Sequence, residues 1–394
     1  MRLTHIPVIL FILIVPILPG FHSIGHSQIS DSARVSILTI YPGDAIYSLW
    51  GHSALRIWDP STGFDISYNY GTFDFRSPIS FMARFAYGKL DYQLSLNRSQ
   101  ALLGHSWLTQ ERGVVQQELS MSPEEIYALY QFVSINARPE NRVYRYDFLY
   151  DNCATRILDA LEHALQYPLA DSNLVDRSFR SYIRPYLKNQ PELDLAINLA
   201  MGIPVDQPAS TRQLSFLPIE FQILIENASK INGEQLVART DTLFGQPYSP
   251  KPRESISLPT VIGWGIFVFG LLLSVKDFHT PKRRIFDSVL FGTISLIGLL
   301  ITFFWFISLH EITRPNLHIM WALPFHIIAL YINKRWIKFY WAGTMLSGTA
   351  FLVAAGWGTQ HIPLATLPFM LTVVVRSIIL MRVPRTGFEP VLPA

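Results

Sequence analysis

The sequence predicts an α+β exported domain followed by an all-α bundle of about five transmembrane helices. Three observations lead there. Apolar residues make up 49% of the 394-residue chain and charged residues only 15%. The apolar runs gather at the two ends, so a soluble insert lies between membrane segments. Within that insert, strand-like alternation gives way to helical periodicity. The formal net charge of +3 is too small and too dispersed to suggest a nucleic-acid partner.

The membrane segments decide which side the chemistry is on. Residues 6–20, IPVILFILIVPILPG, follow Arg2 and read as a signal peptide or N-terminal anchor within 1–26. Beyond residue 256, apolar runs cover 258–275, 285–309, 317–332, 339–358 and 362–381, the third being the shortest. Lys276, Lys282, Arg283 and Arg284 separate the first two runs; Lys334, Arg335 and Lys338 separate the third and fourth; Arg382 and Arg385 follow the fifth. The alternate loops, HEITRPNLH and TQHIP, contain a single Arg between them. The positive-inside rule therefore puts residues 27–255 and both of these loops on the exported side, which in a bacterium is the periplasmic face of the inner membrane. Residues 256–382 form the helical membrane domain, and the aperiodic 383–394 reads as an unstructured tail.

Within the exported part, ARVSILTI alternates as a strand, and SALRIWD and FDISYNYGTF flank the turn DPSTG as a hairpin. Pairing Ile57 with Phe64 sets Leu55 against Ile66, Arg56 against Asp65 and, at the open end, His52 against Asn69. MSPEEIYALYQFVSIN reads as a helix with Ser122 as N-cap, Pro123 in the first turn and Glu125 completing a capping box. Tyr144, Tyr146, Phe148 and Tyr150 recur at every second position, predicting one face of a strand that is chiefly core. NCATRILDALEHAL is the next helix, with Ile157, Leu158, Leu161 and Leu165 on one stripe. From about residue 166 to 250 the pattern is mostly helical, with prolines at the joints.

Cys153 is the only cysteine in the chain, so it forms no internal disulfide, and a lone thiol facing an oxidising compartment is buried or used. With Asp151 or Asn152 as helix cap, it sits in the first turn, where unpaired N–H groups and the positive end of the dipole favour thiolate over thiol. A nucleophile needs a base, and histidine is the usual one. His163 lies ten residues along the same helix, about 15 Å away, too far to serve. His105 has no evident partner. His52, on a strand after a glycine with Asn69 on its neighbour, completes a Cys–His–Asn set: thiolate, imidazole, and an amide to orient the ring. Asn152, Arg156, Tyr150 and Ser53 are further candidates for the oxyanion or the substrate. Metal-ligand spacing, phosphate loops and nucleotide motifs do not appear, so no cofactor is expected.

A nucleophilic cysteine opening a helix against strands that carry histidine and then a polar residue resembles the papain-like NlpC superfamily. Histidine before cysteine is similar to its circularly permuted branch, which includes lecithin:retinol acyltransferase. More specifically, WGHSALRIWDP, YNYGTFDF, PENRVYRYDFLYDNCATRILDAL and the multi-span tail resemble the Lnb-type bacterial lipoprotein N-acyltransferases over residues 35 to 380. The resemblance implies a permuted papain-like exported domain with a helical extension, and His52 and Cys153 as the catalytic pair. It also implies transfer of an acyl chain from a phospholipid, through a Cys153 thioester, to the α-amino group of a diacylated lipoprotein. Two other readings stand beside it: a membrane-tethered cysteine peptidase or amidase acting on cell-wall peptide, and a non-enzymatic envelope assembly protein with a structural Cys153.

Overall fold

A computed structural model describes residues 29–73, 78–171, 173–246 and 257–384. The predicted signal segment, and the tail beyond residue 384, lie outside the described residues. Seven strands form one antiparallel sheet: β1 (Arg34–Ile40), β2 (His52–Asp59), β3 (Phe64–Thr72), β4 (Asp91–Arg98), β5 (Val114–Leu119), β6 (Val143–Arg145) and, after a separate two-stranded ribbon of β7 (Leu174–Ser178) and β8 (Pro208–Ser210), β9 (Val237–Phe244). Their order is β6-β4-β3-β2-β1-β5-β9. The last strand departs from the helical reading of 166–250. VARTDTLF covers the outer edge of β5 and is half-exposed throughout. A strand without a buried face leaves no alternation to read.

The β2–β3 hairpin forms, but its register is two residues from the expected one. Leu55 faces Tyr68, Arg56 faces Ser67 and Ile57 faces Ile66. A slip of one residue would have turned every side chain to the wrong face; a slip of two preserves faces and converts opposite pairs into diagonal ones. Arg56 therefore still reaches Asp65, with two bonds of 2.8 and 2.7 Å. The β2–β3 ladder ends at Leu55–Tyr68, while β2 runs on to His52 paired with β1. Beyond that point the two strands part, and the amino end of the cysteine helix enters the gap.

That helix, Cys153–Leu165, is amphipathic as predicted. Ile157, Leu158, Leu161 and Leu165 are buried in one core with Leu55, Ile57, Tyr68 and Tyr70. The Pro123–Asn136 helix has the expected capping box, with Glu125 N–H donating to Ser122 Oγ and Ser122 N–H donating to the Glu125 carboxylate. The strand expected from Tyr144 to Tyr150 ends at Arg145. Asp147 is the cause: its Oδ1 accepts from the amides of Leu149 and Tyr150 at 2.9 Å each, folding 147–151 into a tight turn closed by reciprocal backbone bonds with Asp151. Tyr144 thus stays buried while Tyr150 is exposed.

The C-terminal region is helical. The Leu258–Lys276 and Ile285–Phe306 helices are long and apolar enough to cross a membrane, with mean hydropathies of 2.1 and 2.2. Ile337–Gly356 and Leu367–Arg382 are the other long helices among the described residues. Where a continuous span was expected over 317–332, the chain makes a 3-10 turn at Leu317–Met320 and a short helix at His326–Tyr331. Pro324 interrupts the run, and His318 and His326 are fully buried among the long helices. On the basic side, Arg376 binds Asp287 at 2.7 and 2.8 Å and Asp277 at 3.2 Å, fastening three helices through a buried charge cluster.

The two regions are joined tightly. Gly202 N–H donates to Ile312 O at 2.9 Å, Ile203 N–H to Pro315 O at 2.8 Å, and the Asn316 amide to Leu199 O at 2.8 Å. A β-carbon on Gly202 would overlap the Pro315 carbonyl, which is backbone and does not give way. Gly202→Ala is expected to destabilise the detergent-solubilised protein by roughly 1–3 kcal/mol, read as a lower melting temperature. Gly104→Ala, at a helical site with nothing near its added methyl, leaves the melting temperature unchanged or slightly raised.

Candidate active site

Cys153 is the first residue of its helix, and Asn152 caps it. Asn152 Oδ1 accepts from the amides of Ala154 (2.9 Å) and Thr155 (3.2 Å), while its Nδ2 donates to Phe148 O (2.8 Å) and Phe216 O (2.9 Å). Every polar atom of this side chain is engaged, so Asn152 fixes the helix start and has no donor left for a substrate. Arg156 is also occupied. Its guanidinium pairs with Asp151 and stacks over the Tyr144 ring at 4.2 Å. The sequence leaves it as a candidate for the oxyanion or the substrate; the local fold aims it at a carboxylate and an aromatic face instead.

His52 stands at the parting of β2 and β3. Its Nε2 is 2.6 Å from Asn69 Oδ1. An amide oxygen only accepts, so Nε2 carries the proton and Nδ1 is left for the Cys153 thiol, to which the imidazole is hydrogen-bonded. Asn69 is held in turn: its Nδ2 donates to Asn97 Oδ1 at 3.2 Å, and Asn97 Oδ1 also accepts from Ser95 Oγ at 3.4 Å. The helix start, β2, β3 and β4 thus contribute one member each to a chain Cys153–His52–Asn69–Asn97. The contact between His52 and Asn69 was expected from a directly opposed pair and is made diagonally.

Burial alone would suppress both charges. For Cys153 it pushes the thiol up, but the His52 charge, the His52 hydrogen bond and the amides of Ser53 and Ala154 outweigh it, leaving the thiol below the ordinary range. For His52, burial pulls down, while Cys153 and the bonds to Cys153 and Asn69 hold the imidazole above its usual value. The two shifts are one interaction seen from both partners, a thiolate–imidazolium pair. Ser53 contributes through its main chain; its hydroxyl is buried without a partner among the described residues.

Gly71 closes the other side. Its φ of +86° suits glycine, and a β-carbon there would lie 3.5 Å from Cys153 Cβ, 3.8 Å from His52 Cε1 and 3.9 Å from Tyr144 Oη. Two groups that the sequence did not mark as chemical act on this site, one in contact with the Gly71 position and one through its charge. The Tyr144 hydroxyl is buried and has no hydrogen-bond partner among the described residues; burial and the neighbouring Cys153 charge hold its pKa well above the ordinary phenol value, so it stays an O–H donor. Arg112 is buried, donates to Tyr41 O at 2.6 Å and Gln110 Oε1 at 2.9 Å, and adds positive field at Cys153, burial pulling its own pKa down to about 10. Tyr144 was legible only as a core aromatic. Arg112 follows a loop and carried no pattern at all.

Tyr150 stands apart from the sulfur chemistry. It is 45% exposed and lines a cavity of about 290 Å³ with Pro204, Glu311, Ile312 and Arg314.

Alkylation of Cys153 by iodoacetamide should persist well below the free-thiol pKa of roughly 8.5, because the lowered thiol pKa keeps the thiolate populated at lower pH. His52→Ala should move the rate–pH profile up toward that value; superimposable profiles would exclude the ion pair.

Comparison with known proteins agrees with this layout. Residues 24–182 match the family model described as the Lnb N-terminal periplasmic domain, and residues 251–386 match the Lnb transmembrane domain. No curated protein and no solved structure gave a match. The two matches lie in the expected order on one chain, one over the cysteine–histidine region and one over the helical region, and the chain therefore belongs to the Lnb family of lipoprotein-modifying membrane enzymes.

Proposed function

We propose that this protein is a lipoprotein N-acyltransferase of the bacterial inner membrane, moving an acyl chain from a phospholipid through a Cys153 thioester to the α-amino group of a diacylated lipoprotein. One observation carries the reading: His52 is hydrogen-bonded to Cys153 on one side and to Asn69 on the other, the arrangement that a papain-like nucleophile requires. The strand histidine preceding the helix-start cysteine is the order of a permuted papain-like domain, which we assign to residues 27–255, with the membrane domain at 256–382.

In the first half-reaction the Cys153 thiolate attacks an ester carbonyl of the phospholipid and the carbon–sulfur bond forms. The tetrahedral intermediate collapses by breaking the bond to the glycerol oxygen, which takes the proton from His52 and leaves as lyso-lipid. In the second, the neutral lipoprotein amine attacks the thioester and gives its proton to His52. The carbon–sulfur bond breaks, and the thiolate–imidazolium pair is restored. Asn69 keeps the ring aligned, with Asn97 behind it. The oxyanion is met by the Cys153 amide, since those of Ala154 and Thr155 are taken by Asn152 Oδ1, and by the Tyr144 hydroxyl, a buried donor on the same side of Gly71 as the Cys153 side chain. A single donor of this kind is worth roughly 10²–10³-fold in kcat. Holding both lipid substrates at the bilayer surface raises their effective concentration and limits water at the thioester.

The test uses purified protein with phospholipid labelled in its acyl chain and a diacylated lipoprotein. Label should appear on Cys153 and then on the lipoprotein amine; label released only as free fatty acid would indicate a lipase. Cys153→Ala abolishes both transfers, and His52→Ala lowers the first by roughly 10²–10⁴-fold. Tyr144→Phe keeps the ring under Arg156 and is expected to lower kcat roughly 10²-fold with little change in KM. Wild-type rates in Tyr144→Phe would remove the hydroxyl from the mechanism.

A further inference from the structure

We infer that the cavity beside Tyr150 is a head-group subsite for a zwitterionic phospholipid, with Arg314 and Tyr150 receiving the phosphate and Glu311 receiving a terminal ammonium. This inference rests on the transferase reading above and names the donor that the site selects. The cavity, about 290 Å³, lies where the exported region meets the membrane region. It is at the small end of the roughly 300–1,000 Å³ usual for ligand sites, suited to a polar head rather than to a whole lipid.

Its charges are unspent. Glu311 and Arg314 both line the cavity and are exposed, yet among the described residues neither joins an ion pair, with the other or with any neighbour. Opposite charges three residues apart that do not neutralise each other leave a cation and an anion facing one small space. The complementary ligand carries one charge of each sign, separated by a short linker, as in phosphoethanolamine. The Tyr150 ring belongs to the same lining, and its hydroxyl is raised by burial and by the neighbouring charges of Asp147 and Glu311, so it is a neutral donor available to a phosphate oxygen.

The walls are rigid. Ile312 O and Pro315 O accept from Gly202 and Ile203, and Thr313 Oγ1 donates to Phe304 O at 2.8 Å, so the 311–315 segment is set before any ligand arrives. On the opposite wall, Asp147 holds the amide of Tyr150, and Tyr150 lies three residues before Cys153 opens its helix. That distance is at most about 11 Å along the backbone, and only a few bonds separate the phosphate of a glycerophospholipid from its ester carbonyls. A head group seated here leaves an ester within reach of the sulfur.

The experiment compares thioester formation on Cys153 from acyl-labelled phosphatidylethanolamine and phosphatidylglycerol, each in the same nonionic micelle. The quantity read is the ratio of the two rates within one preparation, which is independent of how much of a variant is folded. Wild type should favour the ethanolamine lipid about five-fold, the scale one exposed charge pair supports. Glu311→Gln should bring the ratio close to one, Glu311→Lys should reverse it, and Arg314→Gln should slow both donors. Equal ratios in wild type and both Glu311 variants would overturn the head-group inference while thioester formation continued to support acyl transfer. No thioester from either lipid in wild type would overturn both.

Discussion

The site depends on a gap between two strands. In a continuous ladder the main chain of β2 beyond Leu55 would be paired with β3. Because the pairing stops at Leu55–Tyr68, the Ser53 amide is free to meet the Cys153 sulfur, and the His52 ring can bridge from that sulfur to Asn69. The buried negative charge on sulfur is otherwise prohibitively costly. It is tolerated because an imidazolium, two amides and the field of Arg112 surround it. The end of the hairpin admits the imidazole and the Ser53 amide, the helix supplies the Ala154 amide, and Arg112 reaches in from the loop before β5.

Support for the gap reaches outward in both directions. On the helix side, Asn152 ties the first turn to Phe148 and Phe216, so the sulfur is referenced to the helical extension as well as to the sheet. On the sheet side, the Asn69–Asn97 bond extends the polar chain into β4. Such outer partners set the tautomer and the aim of the reacting groups rather than touching substrate. Gly71, with its positive φ, lets β3 turn away without placing a side chain over the sulfur.

Much of this was legible in the sequence because it depends on local rules. Cys153 at a helix start, the Ser122–Glu125 cap and the hairpin turn each rest on a few adjacent residues. The meeting of His52 and Asn69 was reached through a register wrong by two, and the error was harmless for a physical reason: a two-residue slip keeps each side chain on its face. What escaped was long-range or context-dependent. Arg112 acts from a loop 41 positions before the cysteine, Tyr144 was indistinguishable from a core aromatic until its hydroxyl proved unpartnered, and β9 has too little burial to alternate. Over 317–332 the apolar composition predicts one continuous helix, where the chain has a 3-10 turn and a short helix. Composition does not record that Pro324 and two histidines divide it between other helices.

The tight junction at Gly202 and Pro315 has a consequence for how a lipid is processed. With the 199–203 segment bonded directly to the 312–316 loop, the exported region is fastened to the helical region through main-chain bonds on both sides of the junction. On the proposed reading, a lipid substrate would then have to come up to the sulfur, its glycerol rising partway from its neighbours. Both proposed substrates, donor and acceptor, would then meet the same junction, and its bonds would be kept for each.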